Sequence, residues 1–344
     1  MASFDTAVIQ KRATSLAFYH RQLFTTPPLA SPDEVDLAGK TAIITGSNTG
    51  LGFECAQQLL DLGLSKLILA VRNETKGEDA REKLLSGRNA NNHSIEVWKL
   101  DLLSYDSIVS FVGRTKSLEQ LNFFVNNAAF TRLSFVINEK TGHEEIIQVN
   151  YFSLALLTIL ILPVLRDKNS AQQPGRLVNV SSDTASWARF RERGSVPLLP
   201  AFDREENFHP QDRYATSKLL AQLFLTQLAK RLLPSIAIIN TPNPGLCQTS
   251  LTRNFKGSLQ GILFGIFKLV FARTATIGAC SITDAVVNHG SESHGQYLED
   301  GAVQPMAPFV YTDKGEEMAE LLWEETMAEF SFANVSEILE DLSN

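Results

Sequence analysis

Tyr214 and Lys218 lie four residues apart in the run Tyr214-Ala215-Thr216-Ser217-Lys218. On a helix that spacing puts both side chains on one face, one turn apart. An ammonium beside a phenol favours the phenolate, so a tyrosine with an ordinary pKa of roughly 10 could act as an acid or base nearer neutrality. Taken alone the pair is ordinary, because a Tyr and a Lys at this spacing are usually surface residues. It gains meaning from other polar residues that fall at the ends of apolar strands.

The first such strand is Lys40-Thr41-Ala42-Ile43-Ile44-Thr45, a short β-branched run that reads as buried. It leads into Thr45-Gly46-Ser47-Asn48-Thr49-Gly50-Leu51-Gly52, and helical composition follows from Phe53 to Leu60. Strand, glycine-rich turn and helix form an arrangement that binds a dinucleotide pyrophosphate: the glycines let the main chain come close, and the helix N-terminus offers free N–H groups. Gly46, Asn48, Thr49, Gly50, Leu51 and Gly52 are the candidate contacts. The spacing is T-G-x-x-x-G-x-G rather than the general G-x-G-x-x-G; a glycine loop without a ligand is the plainer alternative.

A second strand, Lys66 to Val71, ends at Arg72. An acidic residue there would hold the ribose 2′-hydroxyl of NAD, whereas an arginine can pair with the 2′-phosphate of NADP, so NADP(H) is expected over NAD(H). Further strands run from Ile95 to Leu100, ending on Asp101-Leu102, and from Leu121 to Val125, ending on Asn126-Asn127-Ala128-Ala129. A helix around Asn150 follows, then a strand from Arg176 to Val180 that delivers Ser181-Ser182. After the Tyr214 helix, a strand from Ser235 to Asn240 leads into Pro244-Gly245. Every polar signature sits at a carboxyl strand end, the edge where doubly wound sheets bind ligands. The predicted fold class is α/β: one doubly wound domain over 38–315, a parallel sheet with helices on both faces. A helical extension over 1–37 precedes it and an acidic helical tail over 316–344 follows.

Together these residues resemble the short-chain dehydrogenase/reductase family, and the resemblance covers roughly residues 38 to 315. It rests on the Thr45–Gly52 turn, Asp101, Asn126-Asn127-Ala128, Asn150, Ser182, Tyr214 with Lys218, and Pro244-Gly245-x-x-x-Thr249. Ala70-Val71-Arg72-Asn73 followed by Lys76-Gly77-Glu78 is similar to the retinol-dehydrogenase-like branch. Gln22-Leu23-Phe24 with Thr25-Thr26-Pro27-Pro28 is similar to fungal members of unassigned substrate. The family usually has glycine at Ala129, so this chain carries one extra methyl near the adenosine side.

The resemblance implies a Rossmann domain and a role for each residue. Tyr214 would donate a proton to a carbonyl oxygen, or accept one from an alcohol. Lys218 would lower the Tyr214 pKa and hold the nicotinamide ribose. Ser182 would hydrogen-bond the substrate oxygen, and is chosen over Ser181 by the family pattern alone. Asn150 would distort its helix and position a water leading from Lys218 to solvent. Asp101 with Leu102 would meet the adenine, Asn127 and Ala128 the adenosine ribose side, and Pro244, Gly245 and Thr249 the nicotinamide end. A substrate lid is implied over about 250–275. A homodimer or tetramer through the helices of Asn150 and Tyr214 is an expected assembly, which the inserted segments could obstruct.

Composition agrees. Among 344 residues, 31 basic and 38 acidic side chains give a net charge of −7, with no basic stripe, so nucleic acid is not an expected partner. Cys55, Cys247 and Cys280 have no metal or disulfide spacing and fit a reducing compartment. Cys247 reads as a small filler near the cofactor rather than a reactive thiol. The six histidines form no ligand set, so no metal is expected. The apolar run Tyr151 to Leu165 is shorter than the roughly 20 residues that span a bilayer. Residues Ala7 to Phe24 read as one amphipathic helix that packs on the domain or touches a membrane surface. A cytoplasmic location is expected.

Two variable segments carry the substrate information. Leu251, Phe255, Leu259, Ile262, Phe264, Ile266, Phe267 and Phe271 make the lid segment apolar. Trp187, Phe190, Leu198, Leu199, Phe202 and Phe208 make the Ser182–Tyr214 stretch a loop insertion expected at the pocket mouth. The expected substrate is a bulky, largely apolar ketone or secondary alcohol of a polyketide-, terpenoid- or retinoid-like kind. The expected activity is NADP(H)-dependent ketone reduction in secondary metabolism. A cofactor-assisted dehydratase, epimerase or cyclase, or a redox-inactive dinucleotide sensor, are the alternatives.

Overall fold

A computed structural model describes residues 2–89, 92–251, 265 and 267–343. Eight strands form one sheet: β1 (Thr41–Thr45), β2 (Lys66–Val71), β3 (Ser94–Lys99), β4 (Phe123–Asn126), β5 (Gly175–Asn179), β6 (Ala237–Asn243), β7 (Gln296–Glu299) and β8 (Ala302–Gln304). Their spatial order is β3-β2-β1-β4-β5-β6-β7-β8. The order in which strands are added thus reverses between the parallel neighbours β1 and β4, and at such a crevice doubly wound sheets bind ligands.

Central strands are apolar throughout because both faces are covered. In β1 all five residues are buried, and they divide by alternation. Ala42 and Ile44 enter one core with Leu59 of α3 (Gly50–Asp61), Ala80 of α4 (Glu74–Leu85) and Ile282 of α8 (Ala275–Val287). Ile43 enters the other. There it meets Phe111 of α5 (Tyr105–Thr115), Leu156 of α6 (Glu145–Asp167) and Leu223 of α7 (Pro210–Ala229). Helix α6 is long and apolar enough to cross a membrane by length and composition, yet nearly all of it is buried in the second core.

The same core continues into the acidic tail. Helix α9 (Asp313–Glu329) packs against α7, with Trp323 stacked on Phe224 at 5.6 Å, and the Tyr151 hydroxyl of α6 meets Thr326 Oγ1 at 2.5 Å. Helix α10 (Val335–Ser343) buries Leu339 and Leu342 against α6.

Within the sheet domain three expectations change. The sheet is not wholly parallel: β8 runs antiparallel to β7. Asp300 (φ 51°) and Gly301 (φ 80°) form the two-residue turn between them, and Asp-Gly is a strong signal for that hairpin. Strand β6 also reaches Asn243 rather than ending at Asn240, because residues 240–243 pair with β7. Finally, the Ser182–Tyr214 stretch is not chiefly a pocket-mouth loop. It folds into short 3₁₀ turns, and Phe190, Leu198, Leu199 and Phe202 are buried in the core. Arg213 lies over the Phe202 and Phe208 rings and pairs with buried Glu192 at 3.1 Å. Burying those rings removes more apolar surface from water than exposing them at a rim would.

The N-terminal segment forms two helices rather than one, α1 (Thr6–Arg12) and α2 (Ser15–Phe24). Thr14 breaks the run by capping α2, its hydroxyl accepting from Ala17 N at 3.2 Å. Both helices lie on the sheet domain: Arg12 and Arg21 pair with Glu299 at the end of β7.

Candidate active site

A cavity of about 900 Å³ opens at the carboxyl edge of the sheet. Gly46, Asn48, Thr49, Gly50, Leu51, Asn127, Ala128, Ser182, Tyr214, Lys218, Pro244, Gly245 and Thr249 all line it. Gly52 lies behind this wall, and Arg72, Asp101, Leu102 and Asn150 do not form part of it. Arg72 is exposed at the end of β2. Asp101, past the end of β3, turns inward: its carboxylate accepts from Leu103 N at 3.1 Å.

The glycine turn is built for close main-chain approach. Gly46 (φ 63°) and Gly50 (φ 62°) hold left-handed conformations that favour glycine. A Cβ on Gly46 would sit 3.0 Å from Ala128, and one on Gly52 would sit 2.5 Å from Asn127 Nδ2 and 2.8 Å from Gly46 O. Asn127 fastens the turn by donating from Nδ2 to Thr45 O at 2.9 Å. Thr45 Oγ1 in return accepts from the backbone N–H of both Asn127 and Ala128 at 3.0 Å.

Helix α3 begins here, and its N-cap residue Thr49 makes no side-chain capping bond. The caps of α4, α5, α8 and α9 all do: Asn73, Ser104, Thr274 and Thr312 each accept a backbone N–H. The α3 terminus therefore presents uncapped donors to the cavity, beside glycines with no side chain in the way. That is the environment a pyrophosphate needs, and the residues present fit a nicotinamide dinucleotide.

Tyr214 and Lys218 stand on the first turns of α7, where Pro210 occupies the opening position. Lys218 is buried and donates from Nζ to Val180 O at 2.8 Å. Its nitrogen is 5.8 Å from the Tyr214 ring centre. Burial pulls the Lys218 pKa down to about 8. Burial likewise pushes the Tyr214 phenol above its ordinary range. The nearby Asp183 charge adds to that rise, and a hydrogen bond with Ser182 opposes it. In the protein alone desolvation of the phenolate dominates, and the net shift of Tyr214 is upward. Tyr214 is held as the neutral phenol, the form that can donate a proton.

The structure separates the two serines that the sequence left alike. Ser181 also lines the cavity, but its Oγ is engaged on the core side, accepting from Gln222 Nε2 at 3.3 Å. Ser182 lines the cavity with Tyr214 and accepts from Thr184 Oγ1 at 2.9 Å. Asn150 sits in a π-turn, Gln148–Phe152, that interrupts α6. Its Oδ1 accepts from Phe130 N at 2.8 Å, and its Nδ2 donates to Phe130 O at 2.9 Å and Ser217 Oγ at 3.0 Å. It thereby ties the loop after β4 to the Tyr214 helix.

Cys247 is buried, and burial pushes its thiol up to about 12, so it is not a poised nucleophile. Among the described residues, no group of three or more His, Cys, Asp or Glu side chains could hold a metal ion.

The far wall holds residues the sequence did not reveal. Ser15, Phe18 and Tyr19 of α2 line the cavity, as do Phe130 and Leu133. Of the aromatic residues between Ser182 and Tyr214, Trp187 alone reaches it. From the expected lid, Leu251 and Phe267 line it; Phe255, Leu259, Ile262, Phe264 and Ile266 lie outside the described residues. Asp183, next to Ser182, was also missed. Burial and the Glu299 charge push its carboxyl up to about 7.

Residues 40–192 match the family model described as short chain dehydrogenase. The chain is 46% identical over 339 residues to the short-chain dehydrogenase fogG of Aspergillus ruber, covering 97% of each chain. It is 43% identical to the short chain dehydrogenase/reductase mfmJ of Annulohypoxylon moriforme, covering 94% of each. In fold it is similar to the Pseudomonas aeruginosa RhlG/NADP active-site complex, with a TM-score of 0.57, 22% identity, and coverage of 78% of this chain and 97% of that one. It is likewise similar to a short-chain type dehydrogenase/reductase from Mycobacterium ulcerans, with a TM-score of 0.58, 18% identity, and coverage of 78% and 90%. The chain belongs to the short-chain dehydrogenase/reductase family, whose members are oxidoreductases that bind a nicotinamide dinucleotide.

Proposed function

We propose that the protein is an NADP(H)-dependent oxidoreductase that interconverts a bulky, largely apolar ketone and its secondary alcohol, in the reducing direction, as a ketoreductase of secondary metabolism. One observation carries this reading. Tyr214 and Ser182 sit together in a cavity bounded by an uncapped glycine turn and by aromatic side chains. When bound, the nicotinamide cofactor supplies or takes the hydride.

The protein's own residues do the rest. Tyr214, as a neutral phenol, donates its proton to the substrate carbonyl oxygen. Ser182 Oγ holds that oxygen as negative charge develops on it. Lys218 holds the nicotinamide ribose and replenishes the proton, with Asn150 positioning a water that leads to solvent. Gly46 to Gly52 cradle the pyrophosphate, Asn127 with Ala128 and Asp101 with Leu102 flank the adenosine, and Pro244, Gly245 and Thr249 hold the nicotinamide end. The NADP(H) preference is supported by Arg72, an exposed arginine at the tip of β2, next in the sheet to β1, because a guanidinium can pair with a 2′-phosphate.

The test compares NADPH and NADH consumption by wild type and Tyr214→Phe against a panel of hydrophobic ketones. NADPH oxidation that is lost in the variant is the expected result. A preference for NADH removes the role of Arg72. Binding of cofactor without turnover of any ketone or alcohol overturns the redox reading.

A further inference from the structure

Helix α2 belongs to the extension that precedes the sheet, yet it forms part of the cavity wall. Ser15, Phe18 and Tyr19 line the cavity, at the i, i+3, i+4 spacing of a single helix face. Phe18 meets the Trp187 ring edge-to-face at 5.1 Å and 84°, and meets the Tyr19 ring at 5.2 Å. Tyr19 continues to Phe271 at 5.1 Å and Phe267 at 6.3 Å. Three segments remote in sequence therefore join in one unbroken aromatic strip along the cavity that also holds Ser182 and Tyr214.

The helix is fixed at several points. Gln22 Nε2 donates to Leu246 O at 2.8 Å, and Gln22 Oε1 accepts from Leu246 N at 3.1 Å. Arg273 Nη2 donates to the backbone oxygens of Arg21 and Thr25 at 2.9 and 2.8 Å. Trp187 Nε1 donates to Ala13 O at 2.8 Å. Arg21 pairs with Glu299 at 3.0 Å and Arg12 pairs with the same carboxylate. Glu299 in turn accepts from Asn243 Nδ2 at 2.8 Å, and Asn243 Oδ1 accepts from Gly245 N at 3.0 Å. So α2 is tied to both loops that bear the site, the one after β5 and the one after β6. Aromatic rings locked in this way offer fixed edges and faces, which favour planar π systems over saturated rings of the same size.

We propose that Phe18 and Tyr19 are specificity-determining residues, and that with Trp187 they hold the planar, conjugated ring system of a substrate whose carbonyl reaches Tyr214. This rests on the ketone-reducing reading above and narrows its substrate class. The slot selects a flat aryl or polyene ketone over its saturated counterpart, and the extension contributes two of its three rings.

The experiment titrates the full chain, loaded with NADP⁺ so that no reduction occurs, with 2-acetylnaphthalene and with 2-acetyldecalin. Wild type, Phe18→Leu, Tyr19→Leu and the control Leu16→Ala are compared; Leu16 is 80% exposed and lies outside the cavity wall. Wild type is expected to bind the naphthyl ketone roughly 2- to 10-fold tighter than the decalyl ketone. Phe18→Leu and Tyr19→Leu each bring that ratio toward one, and Leu16→Ala keeps it. A helix that merely braces the fold would weaken both ligands alike and leave the ratio intact, which overturns the proposal; so does a wild-type ratio of one. NADPH turnover is measured in parallel. A selective wall in a protein that reduces no ketone supports the wall and defeats the redox reading. Ketone turnover with an unselective wall does the reverse.

Discussion

At the cofactor end the cavity wall is main chain; at the substrate end it is side chains. Gly46, Gly50 and the uncapped start of α3 present peptide groups fastened by Asn127 and Thr45 to neighbouring strands of one sheet. Phe18, Tyr19, Trp187 and Phe267 instead present rings held by an ion-paired helix and by one another. Main chain pinned in a sheet tolerates almost no added atom. A ring wall can be rebuilt by exchanging side chains, provided its polar anchorage survives. One end is suited to a constant ligand and the other to a ligand that can change without disturbing the first.

The largest effect is expected where the two ends meet. Tyr214→Phe removes the proton donor and should lower turnover by about 10²- to 10⁴-fold; titration with NADPH should show the cofactor end still binding. If cofactor binding collapses as well, the two ends are not separable.

Next comes the anchorage of the substrate end. Replacing Arg12 and Arg21 together by Met leaves Glu299, 5% exposed, as a buried carboxylate without its cations, at a cost of about 3–5 kcal/mol. Adding Glu299→Gln should recover much of that in denaturant unfolding. Absence of recovery would mean that the arginines act through packing alone.

At the other end, Gly52→Ala forces a methyl against Asn127 and the Gly46 carbonyl. Overpacking of this kind costs about 1–3 kcal/mol. It should appear as weaker cofactor binding with the naphthyl-to-decalyl ratio unchanged; a shifted ratio would show that the ends communicate.

The smallest effect lies outside both ends. His143 stacks on Phe152 at 4.1 Å and bonds Asp203 and Glu329 at 2.9 and 3.0 Å. Burial resists charging its imidazole, yet the two carboxylates carry its pKa from 6.5 to about 9. A folded-state value above the unfolded one means that the charged ring stabilises the fold fully below pH 6.5. That contribution fades as pH rises through about 9. The melting temperature of wild type should therefore fall by a few degrees more than that of His143→Gln across this window. Parallel curves would refute the assignment.

How far each end could be read from the chain follows from the same contrast. The Thr45–Gly52 turn and the Tyr214–Lys218 pair are local patterns, and a strand–turn–helix or one helical face carries them without help from distant residues. The aromatic wall is not local: Phe18 meets Trp187, and Tyr19 meets Phe267 and Phe271, and no spacing links these segments. An amphipathic pattern over Ala7 to Phe24 says that a face is buried, not what it is buried against. Phe190, Leu198 and Phe202 show the opposite error, because apolar composition after Ser182 fits a pocket rim and a core equally well. The hairpin of β7 and β8 was legible in Asp300-Gly301, but the strand on either side is too short to show a period. Ser181 and Ser182 became distinguishable only through their partners, Gln222 and Thr184.

The acidic tail has a consequence for behaviour at different concentrations. Helices α9 and α10 pack on α7 and α6, with Trp323 on Phe224 and Thr326 against Tyr151. The helices bearing Tyr214 and Asn150 thus receive their cover from the same chain. An intramolecular cover is not subject to mass action, whereas a cover supplied by a second copy is lost on dilution. The share of support behind Tyr214 and Asn150 that α9 and α10 supply is therefore the same at nanomolar as at millimolar protein.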